Sequence, residues 1–138
     1  MTAFTLDASV ALAWCFADEA SPATDALLDR LADEDAIAPA LWPLEVANAL
    51  AMAERRGRLS WAGLTRSLEL LRQLAVEIDG ETHERAFHDL LNLARSERLT
   101  VYDAAYLELA LRHGVPLASK DVKLRKVAAG LGLALLGV

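Results

Sequence analysis

Short apolar runs alternate with longer stretches of helical period along this chain. AFTLD at 3–7, AIAPA at 36–40, AVEID at 75–79 and VPLAS at 115–119 have the length and composition of buried strands, and LALLGV at 133–138 predicts a closing strand. Between them, apolar residues recur every three or four positions. Ser9 is placed to cap a helix over VALAWCFA, and Ser21-Pro22 supplies an N-cap and a first-turn proline for ATDALLDRLADE. Pro43 opens LEVANALAMAERRG, in which Val46, Ala49, Leu50 and Ala53 share a face and Gly57 is the stop. Ser60 caps WAGLTRSLELLRQL, with Trp61, Leu64, Leu68 and Leu71 on one side. ETHERAFHDLLNLARSERL reads as a single helix with Ala86, Leu90, Leu93 and Ala94 inward, and DVKLRKVAAG as a last one.

The helix that starts after Thr100 and stops at Gly114 differs from the rest. Its body, AAYLELAL, is apolar on nearly every side, which predicts burial. Asp103 nevertheless stands at its start. Thr100 as N-cap and Asp103 as third helical residue make an arrangement like a capping box, favoured by the helix dipole. Strands alternating with helices predict an α/β fold, a three-layer sandwich whose mostly parallel sheet is covered by helices on both faces. There are no repeats, linkers or low-complexity segments, so residues 1–138 are expected to form one domain.

Composition narrows the picture. Of 138 residues, 54% are hydrophobic and 25% charged, which fits a folded globule with a slight apolar excess and excludes disorder. No apolar run approaches the roughly 18 residues of a membrane span, and the early Asp7 is unlike a secretory signal. Cys15 is the single cysteine, so no internal disulfide can form, and a reducing cytoplasmic location is expected. The formal net charge of −6 argues against general phosphate affinity, yet it is unevenly spread. Residues 18–35 hold seven acids against Arg30. Arg112, Lys120, Lys123, Arg125 and Lys126 crowd around Asp121, and Arg55, Arg56 and Arg58 form a second basic group.

Ligands of such sheets bind in the crevice outside the carboxyl ends of the strands. Four acids fall there. Asp7 ends the first strand, Glu45 lies in the first turn after the second, Asp103 opens the buried helix, and Asp121 follows the fourth strand. Two carboxylates about 4 Å apart repel by roughly 4 kcal/mol at an effective dielectric of 20, so such a cluster takes up protons or binds a cation. With oxygen ligands alone, that cation is Mg²⁺ or Mn²⁺, which suits metal-assisted attack of water on a phosphodiester. Asp7 and Asp103 are the first choices as direct ligands, and Glu45 and Asp121 would act through water or a second ion.

The segments LDAS, PLEVANAL, TVYDAAYLELA and ASKDVKL, in this order and spacing, resemble the PIN-domain nucleases, and more closely the VapC toxins of VapBC toxin–antitoxin pairs. The resemblance covers essentially the whole chain. It implies that Asp7, Glu45, Asp103 and Asp121 form the catalytic, metal-binding site of a ribonuclease that cuts a structured transfer or ribosomal RNA. Ser9, Asn48 and Ser119 fall beside those acids and can orient ligands or water; many relatives have threonine at 119, and serine keeps the hydroxyl. Lys120, Lys123, Arg125 and Lys126 are the candidate RNA contacts. Family resemblance and apolar excess together imply a homodimer inhibited by a VapB-type antitoxin, docked near Leu44, Met52 and Leu70. A PIN-like module that binds RNA or protein without cleaving, and a housekeeping RNA-processing nuclease, remain as alternatives. A receiver domain needs an acidic pair after its first strand, which this sequence lacks, and has no role for Glu45 or Asp103, although Asp79 and Lys120 echo two of its positions. His83 and His88, five residues apart, do not share a helical face as a metal pair would.

Overall fold

The computed structural model describes residues 2–137. Strands β1 (Thr2–Leu6), β2 (Asp35–Pro39), β3 (Val76–Asp79) and β4 (Leu117–Ala118) form one sheet in the order β3-β2-β1-β4. Every strand pairing is parallel. Seven α-helices flank it among the described residues: α1 (Ala8–Cys15), α2 (Pro22–Arg30), α3 (Leu41–Arg55), α4 (Trp61–Gln73), α5 (Leu91–Glu97), α6 (Val101–His113) and α7 (Val122–Gly130). No helix is long and apolar enough to cross a membrane.

The strand order explains the layers. The chain steps from β1 to β2 to β3 in one direction, then returns over both to reach β4 on the far side of β1. Right-handed crossovers in opposite directions put α1–α4 on one face and α5–α6 on the other. Accordingly α6 packs across β1 and β2, with α5 and α7 against it, while α1, α3 and α4 pack together. The reversal falls between β1 and β4, where the connections leave the sheet toward opposite faces and open a crevice at the carboxyl ends.

Burial follows the hydrophobic pattern. Phe4 and Leu6 of β1, Val10 and Ala11 of α1, and Leu107 and Ala110 of α6 belong to one core. Every residue of α6 from Ala104 to Ala110 is buried. The local stops and starts also hold. Ser21 makes a capping box with Thr24, Ser60 accepts from the Gly63 amide, and Thr100 accepts from the Asp103 amide at 3.1 Å. Gly57 and Gly114 end their helices with φ of 73° and 64°, the left-handed geometry glycine adopts without a Cβ clash.

Five expectations need correction. First, α1 starts at Ala8, with Asp7 as its N-cap residue, so Ser9 lies inside the helix and does not cap it. Second, α3 starts at Leu41, two residues ahead of Pro43; amides of a first turn have no intrahelical acceptor, so proline is tolerated there. Third, the helix expected over 81–99 is broken into a 3₁₀ turn (Thr82–Arg85), a π turn (Ala86–Leu90) and α5. Arg85 reaches Asp89 at 3.1 Å and Glu108 of α6 at 3.5 Å, and Leu90 is buried; anchoring both within a few residues is met by the uneven winding. Fourth, the closing strand does not form among the described residues. Leu135 makes a single parallel bridge to Leu117, because β4 is itself only two residues long. Fifth, Trp61, expected to share the apolar face of α4 with Leu64, Leu68 and Leu71, is 71% exposed.

Candidate active site

Asp7 sits where the β1 ladder ends. Its amide donates to the Ala118 carbonyl at 3.0 Å, which carries the β1–β4 pairing one residue further and places Asp7 beside Ser119. Both Ser9 (2.6 Å) and Ser119 (2.7 Å) then donate their hydroxyls to Asp7 Oδ2. The same hydroxyls accept from the next turn of backbone: Ser9 Oγ from the Lys120 amide at 2.9 Å, and Ser119 Oγ from the Asp121 amide at 3.1 Å. Two serines thus join the ends of β1 and β4 and hold one carboxylate in place. Ser9 tightens this corner of the site, which is what it does instead of capping.

Asp121 caps α7, its Oδ1 accepting from the Leu124 amide at 2.7 Å, while the residue itself is exposed. Asp103 lies in the first turn of α6 and is half-buried. Glu45, on the second turn of α3, is half-buried too, and its Oε1 accepts from the Tyr106 hydroxyl at 2.6 Å. Tyr106 is fully buried one turn along α6 from Asp103, so its ring lies in the core and its hydroxyl bridges two helices at the edge of the site.

The acids feel one another. Burial pushes the Asp7 carboxyl above its usual range, the Ser9 and Ser119 hydrogen bonds pull it back, and the Asp121 charge adds to the rise. Burial also raises Glu45, opposed by the Tyr106 hydrogen bond and reinforced by the charges of Asp7 and Asp103. Asp103 is raised by burial first, then by Asp121 and Asp7, against a smaller opposing effect of Lys123. The four predicted acids are therefore one electrostatic unit. Their donor set is oxygen only. Among the described residues, no three carboxylate, imidazole or thiolate groups close into a ready-made metal cage.

The other predicted positions scatter. Asn48 is exposed on α3, one turn beyond Glu45, and does not join the serines around Asp7. Lys120 Nζ donates to the Glu19 carbonyl at 3.0 Å, and Lys123 Nζ donates to the Arg98 carbonyl. Arg125 Nη1 bonds the Ser119 and Leu136 carbonyls at 3.0 and 2.8 Å, pinning the end of the chain beside β4. Lys126 is exposed. Arg112 is taken up elsewhere: it pairs with Asp79 at 2.8 Å and Glu108 at 2.7 Å. Arg58 pairs with Asp18 and Glu19 and lies 3.9 Å over the Phe16 ring. Reading the sequence missed Tyr106 as part of the site. Its spacing of three from Asp103 was a signal, but its partner lies 61 residues away.

The structure is thus a parallel α/β sandwich with Asp7, Glu45, Asp103 and Asp121 near its topological switch point. Comparison identifies the family to which this fold belongs. The family model for the PIN domain matches residues 4–130, and the chain belongs to this family of the nuclease superfamily, whose members are generally metal-dependent. PAE2754 from Pyrobaculum aerophilum, in its crystal structure, is similar with a TM-score of 0.67 and 28% identity, over 91% of this chain and 85% of that one. FitAcB from Neisseria gonorrhoeae shares the fold with a TM-score of 0.66 and 17% identity, over 97% and 96% of the two chains. No match was found among curated proteins.

Proposed function

We propose that the chain, over residues 1–138, is a Mg²⁺- or Mn²⁺-dependent endoribonuclease and the VapC-like toxin of a toxin–antitoxin pair. The single observation that carries the catalytic part is the mutual electrostatic coupling of Asp7, Glu45, Asp103 and Asp121 at the switch point of the sheet. Burial and neighbouring carboxylates make Asp7, Glu45 and Asp103 costly to ionise, and a divalent cation is the ligand that relieves both effects. Asp7 and Asp103 would hold it, with Glu45 and Asp121 completing the site through water. When bound, the cation supplies Lewis-acid polarisation of the scissile phosphate and a lowered pKa for attacking water. The protein's own part is orientation. Ser9 and Ser119 fix the Asp7 carboxylate, and the Tyr106 hydroxyl orients Glu45 and favours its ionised form against burial. Lys123, which lowers the pKa of Asp103, and the exposed Lys126 are the basic candidates to meet RNA phosphates.

Asp7→Asn and Asp103→Asn are expected to lose RNA cleavage at least a hundredfold while keeping the fold, followed by gel assay with Mg²⁺ or Mn²⁺ and by circular dichroism. Full activity in EDTA, or in either variant, would sink the mechanism.

The toxin assignment draws on the family resemblance and on exposed apolar surface along α3 and α4. Leu70, with Trp14, Phe16 and Leu59, lines a cavity of about 510 Å³, wide enough for side chains of an amphipathic helix. Met52 borders a neighbouring cavity with Leu12 and Phe16. Co-expression with the product of the small open reading frame beside its gene should yield a tight complex in which growth arrest and RNA cleavage both stop. A homodimer of the free protein is part of the same reading.

A further inference from the structure

Next to Glu45 the surface dips into a depression of about 330 Å³ bounded by Leu41, Leu44, Glu45, Asn48 and Tyr102. Three of its wall residues are exposed. Tyr102, the residue before Asp103, is 64% exposed, and Leu44 is 73% exposed. Leaving an aromatic ring and a leucine in water forgoes the stabilisation their burial would bring. Between them stands Asn48, whose amide makes no hydrogen bond within the described residues.

The occupant that fits has a flat apolar face, hydrogen-bonding edges and no negative charge. The face suits the Tyr102 ring and Leu44. The edges suit an amide, which both donates and accepts. Negative charge is disfavoured because the Glu45 carboxylate forms part of the wall. A nucleobase meets all three conditions, whereas a phosphate fails the third. A second protein's apolar face would leave the Asn48 amide unpaired at the contact, at the cost attached to any buried polar group without a partner. Position agrees with this choice. Glu45 itself lines the depression, and Tyr102 adjoins Asp103 in sequence, so the depression borders the acids that would engage the scissile phosphate.

We propose that this depression holds the base of a nucleotide flanking the scissile phosphate, with Tyr102 stacking on its face and Asn48 reading its edge. The proposal rests on the ribonuclease reading and adds to it the residues that set which base is accepted.

The test places the fluorescent base 2-aminopurine in turn along a short RNA bound to the Asp103→Asn protein, which keeps the strand whole. Quenching is expected at one position. Tyr102→Ala in the same background should abolish that quenching and weaken binding about tenfold, the scale of one lost base–aromatic stack, while Tyr102→Trp retains both. In an otherwise wild-type protein, Asn48→Ala should flatten the preference among the four bases at that position in competitive cleavage. Unchanged quenching in Tyr102→Ala together with an unchanged base preference in Asn48→Ala overturns the proposal. So does a Tyr102→Ala protein that sediments as a monomer where the parent is a dimer yet binds RNA as before, since the ring then belongs to a protein interface. Absence of any cleavage by the wild-type protein in Mg²⁺ or Mn²⁺ counts against the ribonuclease reading instead, and the quenching still decides the base site independently.

Discussion

Tyr106 ties two helices together through one hydroxyl, and the chemistry of Glu45 depends on it. A hydrogen bond to a carboxylate favours the ionised form, so the Tyr106 hydroxyl works against the burial that raises Glu45. Tyr106→Phe removes that bond and leaves the ring packing in place. Glu45 then ionises only at higher pH. The acid limb of the pH–rate profile should move upward, and activity near neutral pH should fall about tenfold, the lower end for a residue that orients a ligand of the proposed metal. An unshifted acid limb would assign Tyr106 to packing alone. Neutralising Asp7 or Asp103 acts differently at this scale, because it removes a donor outright and should abolish cleavage at every pH.

The segment from Thr82 to Glu97 shows how one charged side chain sets the shape of an element. Arg112, on the last turn of α6, donates from Nη2 to Asp79 at the end of β3 (2.8 Å) and from Nε to Glu108 one turn back (2.7 Å). Its guanidinium holds the Asp79 carboxyl well below the usual carboxylate range, helped by the Thr82 hydroxyl at 2.7 Å. Arg85 of the 3₁₀ turn joins the same cluster through Glu108. The side chains of Asp79 and Glu108 are largely buried, so deleting the arginine leaves carboxylates without compensation. Arg112→Met should therefore lower unfolding free energy by about 3 kcal/mol at neutral pH in urea denaturation. The sign with pH follows from the depressed Asp79 value. Its contribution is complete above the ordinary carboxylate value of 3.8 and is lost as pH falls below it, so wild type and variant should converge in acid.

Across the whole molecule, three raised carboxyls make the metal-free protein sensitive to pH in the opposite sense. Asp7, Glu45 and Asp103 bind protons more readily folded than unfolded. From their ordinary values upward, each loses stability as pH rises toward its folded value, and the loss persists above it. A cation that binds only the folded state should restore stability, by about 2.7 kcal/mol at one hundred times its Kd. Thermal unfolding should thus show a Tm that falls from mildly acidic to neutral pH without metal and recovers with Mg²⁺ or Mn²⁺. Asp103→Asn should shrink both effects. A Tm indifferent to divalent ions at millimolar concentration would contradict the site.

Much of this was legible in the order of residues. The caps at Ser21, Ser60 and Thr100, the stops at Gly57 and Gly114, and the four parallel strands depend on interactions within a turn or on the burial of a short apolar run. Neighbouring residues suffice to specify such features. The four acids could be placed at one edge for the same reason, since each stands at the end or beginning of an element. What tertiary structure alone decided involves partners far apart in sequence. The Asp7–Ser119 bond spans 112 residues and the Glu45–Tyr106 bond 61, and Arg112 reaches back 33 residues to Asp79. The broken helix and the single bridge at Leu135 also depend on what happens to lie alongside. Local propensity sets which conformations a segment can adopt, but the energy of burying and pairing its charges is fixed only when the distant element arrives.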